Sequence, residues 1–154
     1  MARGTQHNWK ALGIEYISKP QSPFTFGFST RFGGYYADGT LLNISTDVGY
    51  RFQPFVNIAL NANYIDLKMP APYDHYKFWL IGPRIDVTFT KTLYFTTFVQ
   101  YNEQIKNVNV NTRLQWRYKP ASDLFIVYGD NLNPNPFTSK VRQFVLKWTY
   151  WWNV

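Results

Sequence analysis

Apolar and polar residues alternate along the last stretch of this chain. Every second residue from Phe144 onward is large and apolar or aromatic, and this set is Phe144, Leu146, Trp148, Tyr150, Trp152 and Val154. A period of two puts these side chains on one face of a β-strand, whereas a helix would mix them with their neighbours. The pattern predicts a closing strand over about residues 140–154, and Phe144, Leu146, Trp148, Tyr150 and Trp152 are the candidates to face lipid.

The same two-faced pattern recurs upstream and predicts about nine strands, each of roughly 9–13 residues. The first predicted strand is Trp9–Ile17, the sixth is Leu93–Asn102, and the clearest alternation lies at 108–119. Pro83 interrupts the fifth, where we expect a bulge or weakened pairing. No segment has helical periodicity, and no apolar run approaches the roughly 20 residues of a membrane-spanning helix. The predicted fold class is all-β, up-and-down and antiparallel.

The second face of these strands carries too many polar groups to satisfy inside a small β-sandwich. Such a face suits the watery lumen of a transmembrane β-barrel. The candidate lumen-facing residues are Arg31, Asp47, Arg51, Arg84, Asp86, Asn111, Arg113, Gln115 and Arg117. An alternative stays open, in which the apolar face lines a soluble, lipocalin-like barrel that binds a small apolar ligand.

The composition of the connecting segments predicts two classes of loop. Short turns are expected at 19–22, 53–54, 90–91 and 119–122, and longer loops at 33–40, 67–76, 102–107 and 129–139. Outer-membrane barrels alternate short periplasmic turns with long extracellular loops in this way. The sequence therefore predicts a polar flank at 1–8 and a transmembrane β-barrel over 9–154.

The strand number bears on whether this barrel is closed. Bacterial barrels of this class have an even number of strands. Nine strands without a secretory signal at the N-terminus predict the C-terminal sector, or fragment, of a larger barrel whose N-terminal strands are missing. A closed eight-stranded barrel that leaves out Trp9–Ile17 is the alternative.

Composition adds aromatic and basic residues to this picture. One fifth of the chain is aromatic, the formal charge is +7 and there are no cysteines; the mean hydropathy is −0.33. Aromatic rings form the interfacial girdles of membrane barrels. The arginines either make a lumen that favours anionic solutes or pair with Asp47, Asp86 and Glu103. We expect no nucleic-acid partner, because stacking needs aromatic and basic residues on one face, and here they alternate.

Candidate chemistry is sparse. His75 follows Asp74 in a predicted loop, where a solvated histidine is expected; the other histidine, His7, is in the polar flank, and there is no Gly-x-Ser-x-Gly motif. Asp66 and Asp74 match no calcium-loop spacing. The sequence predicts no catalytic residue, no metal site and no cofactor.

Several phrases resemble one family of membrane proteins. They are residues 79–90, 97–102 and 111–128, together with 50–54 and 146–150. These resemble the C-terminal barrel of domain-of-unknown-function family 5916, found in Bacteroidetes and relatives. Members typically have a signal peptide and a carbohydrate-binding family-9-like domain upstream of the barrel. The resemblance covers the barrel end alone and implies no site residues, because the family has no established catalytic motif.

Pattern and resemblance together predict an integral outer-membrane protein of a Gram-negative bacterium. The expected function is a scaffold or a passive, porin-like conduit without catalysis in this region. The expected partners are outer-membrane lipid, the barrel-assembly machinery that recognises an aromatic last strand, and the missing N-terminal barrel strands.

Overall fold

The chain folds into a single antiparallel sheet in which each strand pairs with the next one along the sequence. The computed structural model describes residues 8–152. Nine strands follow one another in the order β1 to β9, which confirms the predicted all-β, up-and-down class. The strands are β1 (Ala11–Ile17), β2 (Phe24–Tyr35), β3 (Gly39–Phe52), β4 (Val56–Lys68), β5 (His75–Thr88), β6 (Leu93–Asn102), β7 (Asn107–Lys119), β8 (Ser122–Pro134) and β9 (Phe137–Trp148).

Helical structure in residues 8–152 is confined to one 3₁₀ turn at Tyr36–Asp38. None of the helices in this range has the length and apolar character needed to cross a membrane.

The predicted contrast between short turns and long loops is wrong. The connections contain 6, 3, 4 and 2 residues at the end of the sheet that carries the β1–β2 connection, and 3, 6, 4 and 2 residues at the opposite end. Strands extend into the segments predicted as loops at 33–40 and 129–139 and leave connections only at 36–38 and 135–136, because the flanking backbone groups pair across the ladder. Gly33 pairs with Ala11, and Asn131 pairs with Asn109. Glycine and asparagine are poor strand formers, but a neighbouring strand overrides that preference.

The closing segment also differs from its prediction. The last strand begins at Phe137 and ends at Trp148 instead of spanning 140–154. Beyond it, Thr149 still exchanges two backbone hydrogen bonds with Asp123, and the Trp151 N–H donates to Ser122 Oγ at 3.0 Å. Residues 153–154, and residues 1–7 of the predicted flank at 1–8, lie outside the described residues.

Pro83 weakens the pairing of β5 with β6, as predicted, but without a bulge. Pairing is continuous from Arg84 to Thr88, is interrupted at Gly82 and Pro83, and resumes at Ile81 in the same register. On the other side, β5 pairs with β4 through Pro83 without a gap. The proline therefore lacks the N–H that would have pointed toward β6. Register shifts occur elsewhere, at Tyr118 between β7 and β8 and at Lys140 between β8 and β9.

The described residues enclose no apolar core. No apolar side chain among them is buried, and the chain exposes 11457 Å² of surface. A compact soluble protein of 18.2 kDa would expose about 8,100 Å². The excess arises because both faces of one sheet are open.

The strands are staggered from one side of the sheet to the other. One row of paired residues crosses the sheet at Phe52, Val56, Val87, Phe95 and Leu114. Toward the Tyr36–Asp38 end, β3 extends 13 residues from this row and β7 extends 7. Toward the other end, β3 stops at the row, whereas β7 continues for 5 more residues. A shift of about five residues over four strand spacings corresponds to a strand tilt of about 40°. Strands of β-barrels are tilted by this amount.

The two edge strands, β1 and β9, do not pair with each other within the described residues. Every residue of both strands is exposed. β1 pairs with β2 over its full length, so the edge of β2 that a closed eight-stranded barrel would use is occupied in this structure.

Candidate functional site

The register sorts the side chains of the sheet into two faces. The polar face is the one that contains Asp47, Asn61 and the residues in phase with them, and the apolar face is the one that contains Val48 and Leu60. All nine residues predicted to line a lumen lie on the polar face. They are Arg31, Asp47, Arg51, Arg84, Asp86, Asn111, Arg113, Gln115 and Arg117.

The apolar face carries large exposed side chains across the whole width of the sheet. Leu12 on β1 is 68% exposed and Trp148 on β9 is 71% exposed. Phe144, Leu146 and Trp148, predicted to face lipid, are in phase with Tyr128, Ile126 and Leu124 of this face. Tyr150 and Trp152 lie beyond the end of β9, with ring centroids 6.0 Å apart. The sheet therefore presents an apolar surface across its whole width, and nothing in the described residues covers it.

Aromatic rings gather near the two ends of the strands. At the end with the β1–β2 connection, called the turn end below, Tyr50 and Phe52 lie 4.5 Å apart and Trp116 and Tyr118 lie 5.8 Å apart. At the opposite end, the Tyr64 and Trp79 centroids are 4.9 Å apart. Two aromatic zones that flank an aliphatic zone are typical of barrels at the two interfaces of a bilayer.

The predicted loop histidine lies elsewhere than expected. His75 is the first residue of β5 and pairs with Lys68. Its Nε2 atom lies 2.5 Å from Asp66 Oδ1, and Lys77 Nζ lies 3.7 Å from Asp66 Oδ2. This polar cluster is at the opposite end of the apolar face, beyond the rings of Tyr64 and Trp79. It marks a boundary of the apolar surface.

A second polar cluster on the apolar face was missed by the sequence analysis. Asp130 is 4% exposed and pairs with Arg142 across the ladder. Its carboxylate accepts hydrogen bonds from Tyr128 Oη at 2.8 Å, Ser139 Oγ at 2.5 Å and Arg142 Nε at 3.0 Å. The bonds link β8 to β9 next to the register shift at Lys140, so the cluster holds the two strands together where regular pairing fails.

The carboxylates of the polar face are engaged by neighbouring side chains. Asp86 accepts hydrogen bonds from Arg84 Nε at 3.0 Å, from Thr96 Oγ1 at 2.9 Å and from Asn57 Nδ2 at 3.4 Å. Asp123 accepts from Gln115 Nε2 at 3.1 Å and from Arg117 Nε at 3.4 Å.

The ion pairs expected from the sequence form only in part. Arg84 pairs with Asp86 as expected. Asp47 instead accepts a hydrogen bond from Asn61, and Glu103 accepts one from the Trp79 backbone N–H at 2.9 Å. Arg51 donates to the Pro20 carbonyl at 2.5 Å.

Two arginines of the polar face, Arg31 and Arg113, form neither a hydrogen bond nor an ion pair with any residue of the described range 8–152. Next to Arg31 across the ladder, the buried Oδ1 atom of Asn43 also has no hydrogen-bond partner in this range. Shallow depressions open on the same face. One is lined by Asp47, Arg51 and Asn61, and another by Arg84, Arg113 and Arg117.

The expected separation of aromatic from basic residues is incomplete. Six aromatic side chains of the described strands lie on the polar face, namely Tyr35, Tyr76, Phe78, Tyr94, Phe98 and Phe125. The Phe98 ring covers Gly82, where an added Cβ would lie 3.1 Å from the ring. Tyr94 donates its hydroxyl to the Lys91 carbonyl at 2.5 Å. At least these two rings have structural roles. The expectation that aromatic and basic residues lie on opposite faces, which disfavours a nucleic-acid partner, is met only by the aromatics of the apolar face.

Within residues 8–152, no three or more histidine and acidic side chains come together in a way that could hold a metal ion. The expectation that this region has no catalytic residue, metal site or cofactor remains a prediction.

No protein-family model matches the chain, and no curated protein matches it. Among solved structures, the chain is similar to the KdgM porin, with 12% sequence identity and a TM-score of 0.47 over 92% of this chain and 76% of the porin. A structure of the KdgM porin in complex with disordered oligogalacturonate gives the same identity and TM-score, with 92% of this chain and 75% of that chain covered.

Proposed function

We propose that this chain forms the wall of a transmembrane β-barrel in the outer membrane of a Gram-negative bacterium. Its apolar face contacts lipid, its polar face contacts water, and the barrel acts as a scaffold or passive, porin-like conduit without catalysis in this region. The observation that carries the proposal is the exposed apolar face that extends across the whole width of a sheet whose described residues enclose no apolar core.

An exposed apolar surface of this extent needs a partner. Soluble monomers rarely expose contiguous apolar patches larger than a few hundred Å², whereas here such side chains continue from Leu12 on β1 to Trp148 on β9. Lipid covers such a surface, and backbone pairing between strands satisfies the polar groups that hydrocarbon cannot. The soluble lipocalin-like alternative would require the apolar face to enclose a pocket, but in this structure that face is exposed and the depressions open on the polar face.

The strand dimensions agree with a bilayer. Strands β3, β4 and β5 contain 14, 13 and 14 residues. At about 3.3 Å per residue and a tilt of about 40°, such strands rise roughly 33 Å. The hydrocarbon core is about 30 Å thick.

The edges of the sheet determine what else the barrel needs. Because the sheet has nine antiparallel strands, β1 and β9 run in the same direction, and each presents an unpaired edge. Hydrocarbon does not tolerate such edges. An antiparallel barrel with an even number of strands therefore requires an odd number of further strands between β9 and β1. We propose that these strands lie outside this chain, as they would if it is the barrel end of a family 5916 protein, and that the assembly machinery recognises β9.

Cysteine labelling tests the sidedness directly. The chain has no cysteine, so single substitutions give clean labels. Leu60→Cys and Asn61→Cys are neighbours on β4 with opposite faces, and both positions are exposed in the chain itself. In lipid vesicles we expect a membrane-impermeant maleimide to label Asn61→Cys at least about tenfold faster, because lipid covers position 60.

Labelling of the unfolded protein supplies the control. In denaturant both variants should react at the same rate. Equal rates in vesicles, or a monomeric protein that stays in aqueous buffer without detergent, would contradict the membrane proposal and favour a soluble barrel.

A further inference from the structure

Charges on the polar face are concentrated toward the turn end. Five basic residues lie in this half of the face, and we call them the basic belt: Arg51, Arg84, Arg113, Arg117 and Lys147. The acidic residues in the same half are Asp47, Asp86 and Asp123, so five basic and three acidic residues leave an excess of two positive charges. Toward the opposite end of the polar face, the basic residues that the described strands contribute are Arg31 and Lys140, and Lys140 Nζ donates to Asn107 Oδ1 at 3.1 Å.

Two of these acidic residues are paired with arginines within the sheet, whereas Asp47 accepts a hydrogen bond from the neutral amide of Asn61. Asp86 is held by Arg84, Thr96 and Asn57, and Asp123 is held by Arg117 and Gln115. Arg84 and Arg117 are thus balanced by carboxylates, whereas Arg51 is bonded to a neutral carbonyl.

Arg113 lies between the two neutralised pairs. Its cross-strand neighbour is Thr96, whose hydroxyl already donates to Asp86. The guanidinium of Arg113 has no partner within residues 8–152 and is exposed toward the depression that Arg84 and Arg117 also line. A planar guanidinium offers paired N–H donors that match a carboxylate, sulfate or phosphate group. The net positive charge of this half of the face adds attraction for an anion that is larger than one such group.

We propose that the basic belt is an anion-binding track centred on Arg113, and that the conduit takes solutes bearing carboxylate, sulfate or phosphate groups. This inference rests on the proposed function, because the belt acts on solutes only if the polar face lines a water-filled passage. In such a passage, charged side chains select by charge. The structure favours anions over cations because this half of the face keeps a net positive charge and two of its three carboxylates are paired with arginines.

Chemical modification of arginine tests binding without requiring conduction. The full chain in a non-ionic detergent is treated with phenylglyoxal in the presence and absence of pyrophosphate, and modified residues are located by mass spectrometry. We expect pyrophosphate to protect Arg113 and, less strongly, its neighbours Arg84 and Arg117. Arg31 is the internal control, because it also has no partner in residues 8–152 but lies outside the belt.

Matched variants give the affinity. Arg113→Gln should weaken pyrophosphate binding about tenfold, whereas Arg31→Gln should leave it unchanged, and raising the salt concentration to about 1 M should abolish it. Equal affinities of the two variants, or protection of Arg31 as strong as that of Arg113, would overturn the anion track. That result leaves the cysteine-labelling result for Leu60 and Asn61 untouched, so failure of the track and failure of the membrane proposal are distinguishable.

Discussion

At the scale of single residues, Gly33 has a backbone that other residues adopt only with strain. Its φ is +148°, and an added Cβ would lie 2.5 Å from the Lys10 carbonyl oxygen and 2.6 Å from Ala11 Cα. We expect Gly33→Ala to cost about 1–3 kcal/mol and to loosen β1, because Ala11 is the ladder partner of Gly33.

Amide hydrogen exchange measures this effect by strand. The amides of β1 should exchange faster in Gly33→Ala, and those of β6 to β8 should be unchanged. Gly13→Ala is the matched control, because a Cβ at position 13 meets only the Thr30 carbonyl at an ordinary 3.6 Å. If the two alanine variants exchange alike, the backbone of Gly33 is not the constraint described.

Side-chain direction was predictable from the sequence at almost every strand position, because a period of two leaves a single choice of face. The choice of partner was less predictable. Arg84 and Asp86 are two residues apart on one strand, and pairing of these groups was among the expected arrangements. Arg117 and Asp123 lie on different strands and meet because they are ladder partners, next to the register shift at Tyr118. The face on which Asp130 lies could have been predicted, because Asp130 follows Leu124, Ile126 and Tyr128 at steps of two. Its pairing depends on Ser139 and Arg142 beyond a register shift that the sequence does not reveal.

At the scale of elements, Pro83 interrupts one ladder and leaves the other intact. The gap at Gly82 and Pro83 lies toward β6 alone. We expect Pro83→Val to supply the missing N–H and to stabilise the sheet by about 1 kcal/mol, the net contribution of one hydrogen bond.

Amide exchange and denaturant unfolding check this variant together. The new amide at position 83 should be as protected as that of Ile85, which pairs with Thr97 in the same ladder and whose N–H also points toward β6. An amide at 83 that exchanges as freely as that of Asp74 in the 69–74 connection would show that the gap has another cause.

The connections show where element prediction from sequence fails. Leu93–Asn102 was predicted with its observed bounds. The segments at 33–40 and 129–139 are rich in Gly, Asn or Pro, but strands occupy most of each and leave connections only at 36–38 and 135–136. Backbone pairing to a neighbouring strand decides such cases, and a local pattern contains no information about that neighbour. The predicted contrast between short turns and long loops therefore gives no support to a membrane barrel, because the structure does not contain that contrast.

At the scale of the whole molecule, the parity of the sheet governs how it can close. With nine antiparallel strands, β1 and β9 point the same way, so closure of the sheet on itself would need a parallel seam. Two copies with the same orientation in a membrane would meet the same problem at each junction. An odd number of additional strands removes it. The sequence could predict the number of strands, but the open edges depend on the order of pairing and became evident only in the structure.

Paired cysteines on the two edges test this argument. We expect Ile14→Cys combined with Phe144→Cys to form no cross-link with a short bis-maleimide, within a copy or between copies, because β1 and β9 need antiparallel partners that neither supplies. The positive control is Ser45→Cys with Asn63→Cys, whose native side chains are cross-strand neighbours bonded at 3.1 Å. Efficient cross-linking of the edge pair in the membrane-embedded protein would mean that the sheet closes through a parallel seam. In that case the barrel needs no strands from outside this chain.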